Sequence, residues 1–165
     1  VKLIEALRNQ YNRDYVSLMP TNLYGPNDNY DLNNSHVLPA LIKKFHEAKK
    51  NNLPSVDVWG SGAPKREFLH VDDLASAVFF ALNNKLPDSL YNVGSGKEIS
   101  INDLAILVKR VIDYKGEIKF DNSKPDGTPR KLMDSSKLKR LGWSSTIDLK
   151  TGITKVYNNY FNEVK

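Results

Sequence analysis

Apolar and polar residues alternate along the chain with two different spacings, and these predict alternating helices and strands. Apolar residues spaced three or four apart predict helices over about 1–13, 36–49, 72–83, 101–113, 135–140 and 148–162. Short apolar or alternating runs predict strands over about 15–19, 56–59, 66–71, 91–93 and 118–120. Strands that alternate with helices are typical of α/β proteins, so we predict an α/β fold.

Polar residues at the starts of the predicted helices indicate how those helices are capped. Ser35 is a plausible N-cap of the helix over 36–49, and Ser100 begins a variant of the capping box. Asp72 and Asp73 lie at the positive end of the next helix, and capping explains them without a metal ion. Gly94-Ser95-Gly96 lacks the spacing of a dinucleotide loop, so we predict a turn that leads into a helix.

Composition indicates a single domain without a membrane span, but it does not identify the binding partner. The 165 residues are 40% hydrophobic and 26% charged, which is enough for one domain with a core. There is no apolar run of about 18 residues, so we predict no membrane span. The absence of cysteine fits the reducing cytoplasm. A net charge of +5 favours an anionic partner, and nucleic acid, a membrane surface and a phosphorylated small molecule all remain open.

Two basic loops are the first candidates for binding chemistry. They span residues 60–66 (GSGAPKR) and 124–131 (KPDGTPRK). Glycine and proline restrict their backbone, so the cationic side chains would lose little further entropy on binding an anion. Trp59 precedes the first loop and could stack on a base or a sugar. The alternative, solvated surface loops beside a core tryptophan, is equally open on the pattern alone.

The three histidines have different expected environments. His36 falls in the first turn of a predicted helix, where a neutral imidazole could act as a general acid or base. A purely structural residue at a helix start is the more common case, and the pattern alone favours it. His70 lies in a strand ahead of two aspartates, so we predict a structural histidine bonded to a neighbouring carboxylate. His46 lies on a lysine-rich helix, and we predict that it is solvated.

Four segments in this order carry a resemblance to a known family. They are PTNLYGP at 20–26, NSHVLPAL at 34–41, WGSG at 59–62 with REFLHVDD at 66–73, and KPDGTPRK at 124–131. Together they closely resemble the GDP-L-fucose synthases, which are extended short-chain dehydrogenase/reductases. REFLHVDD is shared by many nucleotide-sugar enzymes of that superfamily, whereas the His36 segment and the PDGTPRK loop are more particular. The resemblance covers essentially the whole chain.

The resemblance implies the C-terminal portion of an NAD(P)-binding Rossmann protein, with the last Rossmann strands and a small α/β substrate-binding domain. Residues 1–35 and 66–84 would end the NADP-binding domain, and residues 36–65 and 85–165 would form the domain for the GDP-sugar. The family's Gly-rich loop, catalytic Ser, base cysteine and Tyr-x-x-x-Lys pair do not occur in these residues. We therefore expect an upstream part before Val1, and we expect this chain alone to be inactive.

The resemblance also implies roles for individual residues. Contacts with NADP(H) are implied for Pro20, Thr21, Asn22, Leu23 and His36. Contacts with the GDP-sugar are implied for Lys44, Trp59, Arg66, Asp126 and Lys131. His36 would also be the proton donor of an epimerisation step. Position 44 is lysine here, whereas arginine is also found there in the family. A bidentate contact with a phosphate, which arginine can make, is therefore in doubt at this position.

The activity implied is conversion of GDP-4-keto-6-deoxy-D-mannose to GDP-L-fucose by 3,5-epimerisation and reduction at C4, in a cytoplasmic homodimer. An epimerase/reductase of the same family acting on a GDP-heptose or another nucleotide sugar is the alternative. Outside this class, the basic charge would suit a free-standing module that binds nucleotides or nucleic acid. No RNP, KH or helix-turn-helix motif supports that module, so we predict no nucleic-acid partner. We also predict no membrane partner and no metal.

Overall fold

A computed structural model describes residues 1–163, and the elements within them alternate as an α/β protein. The helices are α1 (Lys2–Tyr11), α2 (Val37–Lys50), α3 (Val71–Asn83), α4 (Ile101–Ile112), α5 (Ser136–Arg140) and α6 (Leu149–Glu163). The strands are β1 (Ser17–Pro20), β2 (Asn22–Tyr24), β3 (Ser55–Trp59), β4 (Lys65–His70), β5 (Leu90–Val93), β6 (Glu98–Ser100), β7 (Glu117–Asp121) and β8 (Arg130–Lys131). The predicted α/β class is confirmed. None of the helices in this described part combines the length and the apolar character needed to cross a membrane.

The strands pair mostly in parallel and form three small sheets in the described part of the chain. β1 pairs with β5, with Ser17 opposite Leu90, and β3 pairs with β7, with Val56 opposite Ile118. The third sheet has four strands, and β4 pairs with the other three. It is parallel to β2 and β8 and antiparallel to β6. Helices cover these sheets, as expected for parallel strands that must be shielded from water.

Two hydrophobic clusters form the core, and β4 contributes to both. The first cluster lies between α2, α4 and α6 and the β3–β7 sheet, and the second lies around the β1–β5 sheet, α3 and α5. Phe68 belongs to the first cluster, whereas the next residue, Leu69, belongs to the second. Successive side chains of a strand point to opposite faces, so one strand can link two cores.

The predicted division into two domains stays a proposal. It assigns residues 85–165 to the substrate-binding part, yet β5 pairs with β1 and contributes Tyr91 and Val93 to the second cluster. A boundary drawn through this region therefore has to account for a strand that packs with the beginning of the chain.

Helix α2 begins differently from the prediction. His36, and not Ser35, is the N-cap, and its side chain makes no capping hydrogen bond within the described residues. The Ser35 hydroxyl is buried without a hydrogen-bond partner in the same part of the chain. The backbone N–H of Ser35 instead donates to the Asp31 carbonyl at 2.7 Å, which holds Ser35 in the preceding turn. Helix α4 does begin as predicted, since the Ser100 hydroxyl accepts the Asp103 N–H at 3.0 Å.

The prediction that Asp73 caps α3 is wrong. His70 is the N-cap, and its Nδ1 atom accepts the Asp72 N–H at 3.2 Å. Asp73 is buried, and its carboxylate accepts hydrogen bonds from the N–H and hydroxyl of Thr146 at 2.9 and 3.0 Å and from the Ile147 N–H at 3.1 Å. Asp73 therefore fastens the segment that precedes α6 onto α3.

His70 is buried, as the sequence predicts for a structural histidine, but the predicted hydrogen bond to a neighbouring carboxylate is not found in the described residues, because the Nδ1 atom accepts the Asp72 N–H. Its Nδ1 atom lies 3.4 Å from the Asp72 carboxylate, and its ring packs edge-on against Tyr24. Burial lowers the pKa of His70, and the nearby Asp72 carboxylate opposes that shift only in part. The ring is therefore expected to be neutral at neutral pH.

The prediction of a solvated His46 is wrong. Only 8% of this residue is exposed, because aromatic side chains of α6 cover the imidazole. Its Nδ1 atom lies 3.3 Å from the Tyr157 hydroxyl, and its ring packs against Tyr160 and Phe161. Burial lowers the pKa of His46, so a neutral ring joins α2 to α6.

Three short strands, which all belong to the β4 sheet, are not predicted by the sequence pattern. β2, β6 and β8 are two or three residues long and form by pairing within that sheet. The same pairing explains why Gly94-Ser95-Gly96 does not lead into a helix. That turn connects β5 to β6, and α4 begins only after β6 has paired with β4.

Candidate functional site

A cleft of about 730 Å³ lies where β1 ends and β2 begins. Its lining residues are Pro20, Thr21, Asn22, Leu23, Asp28, His36, Lys131, Leu132 and Met133. The structure thus brings together all the residues predicted to contact the cofactor and one predicted to contact the substrate. The carboxyl ends of parallel strands are the usual ligand sites of α/β proteins, and the volume is typical of a small-molecule site.

The first wall of the cleft, residues 20–23, is held in place by hydrogen bonds to β4 and β5. The Thr21 N–H donates to the Val93 carbonyl at 3.0 Å. The Asn22 amide donates to the Glu67 carbonyl at 2.7 Å, and the Thr21 hydroxyl reaches the same carbonyl at 3.4 Å. These bonds fix the first wall before any ligand binds.

His36 faces the cleft from the start of α2. It is exposed, its backbone is extended, and its imidazole makes no capping bond among the described residues. The ring is therefore not needed to begin the helix. An imidazole that is open to solvent and lines a cleft can exchange a proton with a bound ligand.

The second wall of the cleft, residues 131–133, is held by β4. β8 pairs in parallel with β4, and Lys131 lies opposite Arg66 in the register. Paired strands are about 4.8 Å apart, so two cationic residues are neighbours at the edge of the cleft. The Met133 N–H donates to the Glu67 carboxylate at 3.0 Å. The second wall therefore depends on the same strand as the first.

Trp59 is exposed and lies between two lysines. It ends β3 with 59% of its surface exposed, so the alternative of a core tryptophan is wrong. The Nζ atoms of Lys44 and Lys124 lie 5.4 and 5.6 Å from the ring centroid. Burial lowers the pKa of Lys44, whose Nζ also donates to the Asp57 carbonyl at 2.9 Å. Two cations beside an aromatic face suit an anion that carries a flat group.

Asp126 joins the two basic loops. Its carboxylate accepts the Ser61 N–H at 2.6 Å and the Ser61 hydroxyl at 2.7 Å. These hydrogen bonds hold the pKa of Asp126 below its ordinary value. Gly60 has a positive φ of 81°, and a Cβ at that position would clash with the Asp126 carboxylate. Whether Asp126 also contacts a ligand stays a prediction, since both carboxylate oxygens already accept hydrogen bonds.

The predicted substrate residues are divided between the cleft and the loops beside it. Lys44, Trp59 and Asp126 do not line the cleft, whereas Lys131 does. Arg66 lies between the two groups. It is paired with Lys131 in the β4–β8 register, and its Nη2 atom would lie 3.6 Å from a Cβ placed on Gly127. The predicted residues therefore follow one path from the cleft to the exposed tryptophan.

Four residues at or beside the cleft are not predicted from the sequence. Three of them line it, namely Asp28, Leu132 and Met133, and the fourth is the buried Glu67. Asp28 lies in an irregular loop without periodicity, so no pattern pointed to it. Glu67 did leave a signal, because it is a charged residue at the start of the buried run 67–70. A charge in a buried strand needs hydrogen-bond partners.

A family model described as the NAD dependent epimerase/dehydratase family matches residues 1–94. These residues cover α1 through β5 and so include the first wall of the cleft, His36, Trp59 and Arg66. The match therefore includes most of the residues that the geometry brings together.

Curated relatives match the chain over nearly its whole length. It is 56% identical over 164 residues to the putative GDP-L-fucose synthase 2 of Arabidopsis thaliana. It is 54% identical over 164 residues to the probable GDP-L-fucose synthase 1 of Oryza sativa subsp. japonica. Each alignment covers 99% of this chain and 50% of the relative. The chain spans about half the length of the curated relatives it matches.

Solved structures share the fold. MlghC, a GDP-mannoheptose C4 reductase from Campylobacter jejuni with NADP bound, matches with a TM-score of 0.85 and 32% identity over 97% of this chain and 56% of that one. A GDP-L-fucose synthetase from Naegleria fowleri bound to NADP matches with a TM-score of 0.88 and 27% identity over 99% of this chain and 50% of that one. Both TM-scores show that the overall fold is shared.

Proposed function

Since the chain belongs to the NAD dependent epimerase/dehydratase family, we propose that it forms part of an NADP-dependent epimerase/reductase that makes GDP-L-fucose from GDP-4-keto-6-deoxy-D-mannose. One observation carries this proposal. A single cleft joins the first wall, His36 and Lys131, and these residues come from three separate segments of the chain. The names of the curated relatives support the choice of substrate.

The residues of the cleft fit the nicotinamide end of NADP(H). A nicotinamide ring needs an apolar surface on its face and backbone groups for its amide. Leu23 and Met133 offer apolar side chains. The backbone of the first wall is held in place by the Thr21 N–H, which donates to Val93, and by the Asn22 side chain, which donates to Glu67. When bound, the cofactor supplies the hydride for reduction at C4. Pro20, Thr21, Asn22 and Leu23 would hold the ring, and His36 would lie beside it.

His36 would supply a proton during epimerisation. Epimerisation removes a proton from a carbon beside the ketone and returns a proton on the opposite face, which takes a base and a separate acid. The imidazole of His36 lines the cleft and is not engaged in capping α2 within the described residues. From the resemblance, we expect the base and the Ser and Tyr-x-x-x-Lys groups from a part of the protein outside these 165 residues. This chain alone is then expected to be inactive.

The path of basic residues beside the cleft would bind the nucleotide. Arg66 and Lys131 suit a diphosphate, because charge-assisted hydrogen bonds to phosphate oxygens are strong. Trp59, with Lys44 and Lys124 beside its ring, would pack against the sugar or the base. The net charge of +5 favours an anionic ligand of this kind.

A reductase for a GDP-heptose is the second candidate. It is supported by the 32% identity to the GDP-mannoheptose C4 reductase from Campylobacter jejuni. The two readings share the cofactor and the nucleotide, and they differ in the sugar. The homodimer, the cytoplasmic location and the division into residues 1–35 with 66–84 and residues 36–65 with 85–165 also remain proposals.

The function is tested on the full-length protein with NADPH. We expect GDP-4-keto-6-deoxy-D-mannose to be reduced to GDP-L-fucose as NADPH is oxidised, with deuterium from D2O incorporated at C3 and C5. Faster turnover of a GDP-heptose ketosugar would favour the second candidate. A protein that binds NADPH but reduces neither ketosugar would contradict both.

Replacing Arg66 with alanine tests the nucleotide site separately from the chemistry. Loss of a charge-assisted pair with phosphate is expected to weaken GDP binding by about 2 kcal/mol, or about 30-fold in the dissociation constant. Isothermal titration calorimetry of the full-length protein with GDP measures this change. Lys65→Ala is the matched control, because Lys65 is the preceding residue of β4 and its side chain reaches Glu98 instead. An equal loss in both variants would contradict a specific role for Arg66.

A further inference from the structure

We propose that Glu67 is a positioning residue that fixes the two walls of the cleft relative to each other, an inference that rests on the proposed function. Glu67 lies in β4, is completely buried, and is not among the residues that line the cleft. It would therefore act on a ligand only through the groups that it holds. Those groups belong to both walls.

The backbone and the side chain of Glu67 hold opposite walls. Its carbonyl accepts hydrogen bonds from the first wall, from the Asn22 amide at 2.7 Å and the Thr21 hydroxyl at 3.4 Å. Its carboxylate atom Oε2 accepts the Met133 N–H of the second wall at 3.0 Å. One residue thus sets the separation between the wall proposed for the cofactor and the wall that carries Lys131.

The other carboxylate oxygen fixes the turn behind the second wall. Oε1 accepts the Gly96 N–H at 2.7 Å and lies 3.5 Å from the Ser95 hydroxyl. Gly94 lies so close to this oxygen that a Cβ at position 94 would clash with it. Gly96 and Met133 also line one further cavity together, so the turn lies directly behind the second wall. Three segments that are distant in sequence therefore meet at Glu67.

The chemistry of this contact requires a carboxylate. Both oxygens accept from neutral donors, two backbone N–H groups and a hydroxyl. A glutamine has one oxygen and one NH2 group, and that NH2 group cannot accept from a backbone N–H. Glu67→Gln therefore removes the hydrogen bond to one segment while keeping nearly the same volume. A shorter aspartate keeps the charge but cannot reach both segments from the same backbone position.

Movement of the second wall relative to the first should affect turnover more than nucleotide affinity. A misplacement of about 1 Å between reacting groups can lower a rate by about 100-fold. Trp59 and the lysines beside its ring lie at the end of β3 and near the Ser61–Asp126 contact, and the Glu67 carboxylate does not hold them. Lys131 would move with the second wall, so nucleotide affinity should fall in part, whereas alignment of the sugar with the cofactor should be affected more strongly.

Glu67→Gln in the full-length protein is the test, with Asp73→Asn as the matched control. Asp73 is also a buried carboxylate that accepts backbone N–H bonds, but it holds residues 146–147, which lie outside the cleft. We expect both variants to have a lower Tm. Only Glu67→Gln should lower kcat, by about tenfold or more, and kcat should fall by a larger factor than the KM for the GDP-sugar rises. Hydrogen exchange should become faster at the Met133 or Gly96 amide.

The outcomes separate this proposal from the proposed function. Wild-type protein that binds NADPH but turns over no GDP-ketosugar would contradict the proposed function. Active wild-type protein together with unchanged kcat in Glu67→Gln, or an equal loss of kcat in Asp73→Asn, would overturn the positioning role. If Glu67→Gln does not fold, Glu67→Asp gives the same comparison, and the positioning role predicts that kcat falls by a larger factor than GDP affinity does. Wild-type kcat in Glu67→Asp would overturn it.

Discussion

Replacing His36 with glutamine in the full-length protein is expected to slow deuterium uptake at C3 and C5 of the ketosugar by about 100-fold or more. A positioned general acid contributes roughly 100-fold to 10,000-fold to a rate, and a glutamine amide does not donate a proton at neutral pH. NADPH binding is expected to persist, because the first wall is held by Val93 and Glu67 and not by the imidazole. The helix should also persist, since the side chain makes no capping bond within the described residues.

Ser35→Ala is the matched control for this experiment. Ser35 precedes His36 but does not line the cleft, and its hydroxyl has no hydrogen-bond partner in the described part of the chain. Mass spectrometry of the sugar after incubation in D2O measures the exchange. Exchange in His36→Gln at the wild-type rate would remove His36 from the chemistry. An equal loss in Ser35→Ala would indicate damage to the start of α2.

Replacing Asp73 with alanine should give the largest loss of stability that we expect from a polar residue. The change leaves two backbone N–H groups and a hydroxyl without their acceptor in a buried region. Each buried polar group left unpaired costs about 1–3 kcal/mol, so the free energy of unfolding should fall by about 3–5 kcal/mol. Urea denaturation of the full-length protein followed by circular dichroism measures this change.

The neighbouring aspartate is the control. The Asp72 side chain is 66% exposed, and its interaction with the start of α3 is worth at most about 1 kcal/mol. Asp72→Ala should therefore change the free energy of unfolding much less than Asp73→Ala. Equal losses would mean that both act as caps, as the sequence pattern had suggested.

The long elements could be predicted from the sequence because their apolar spacing is a local property. Helices α2, α4 and α6 and strands β3 and β7 lie within a few residues of the predicted ranges. The short strands could not be predicted in this way. β8 has only two residues and exists because it pairs with β4, more than sixty positions earlier. No window of neighbouring residues contains that information.

The contacts of polar side chains were the hardest feature to predict. Asp73 and Thr146 are 73 positions apart, and His46 and Tyr157 are 111 positions apart. A carboxylate at a helix start is usually a cap, and a histidine among lysines is usually solvated, so local reasoning gave the wrong environment for both. The residues of the cleft were found through the resemblance to a family, since spacing alone does not connect residues 20–23 with Lys131.

The contact between Ser61 and Asp126 has a consequence for how such a protein can diverge. These residues are 65 positions apart, and the serine donates to both oxygens of the aspartate. A substitution at Asp126 to a residue without an acceptor removes both hydrogen bonds, whereas a substitution at Ser61 removes only the hydroxyl bond and keeps the backbone one. The effects of substitutions at two residues in contact are in general not additive. Drift in one basic loop is therefore constrained by the other. We therefore expect a change of ligand preference acquired through one loop to need a compensating change in the other.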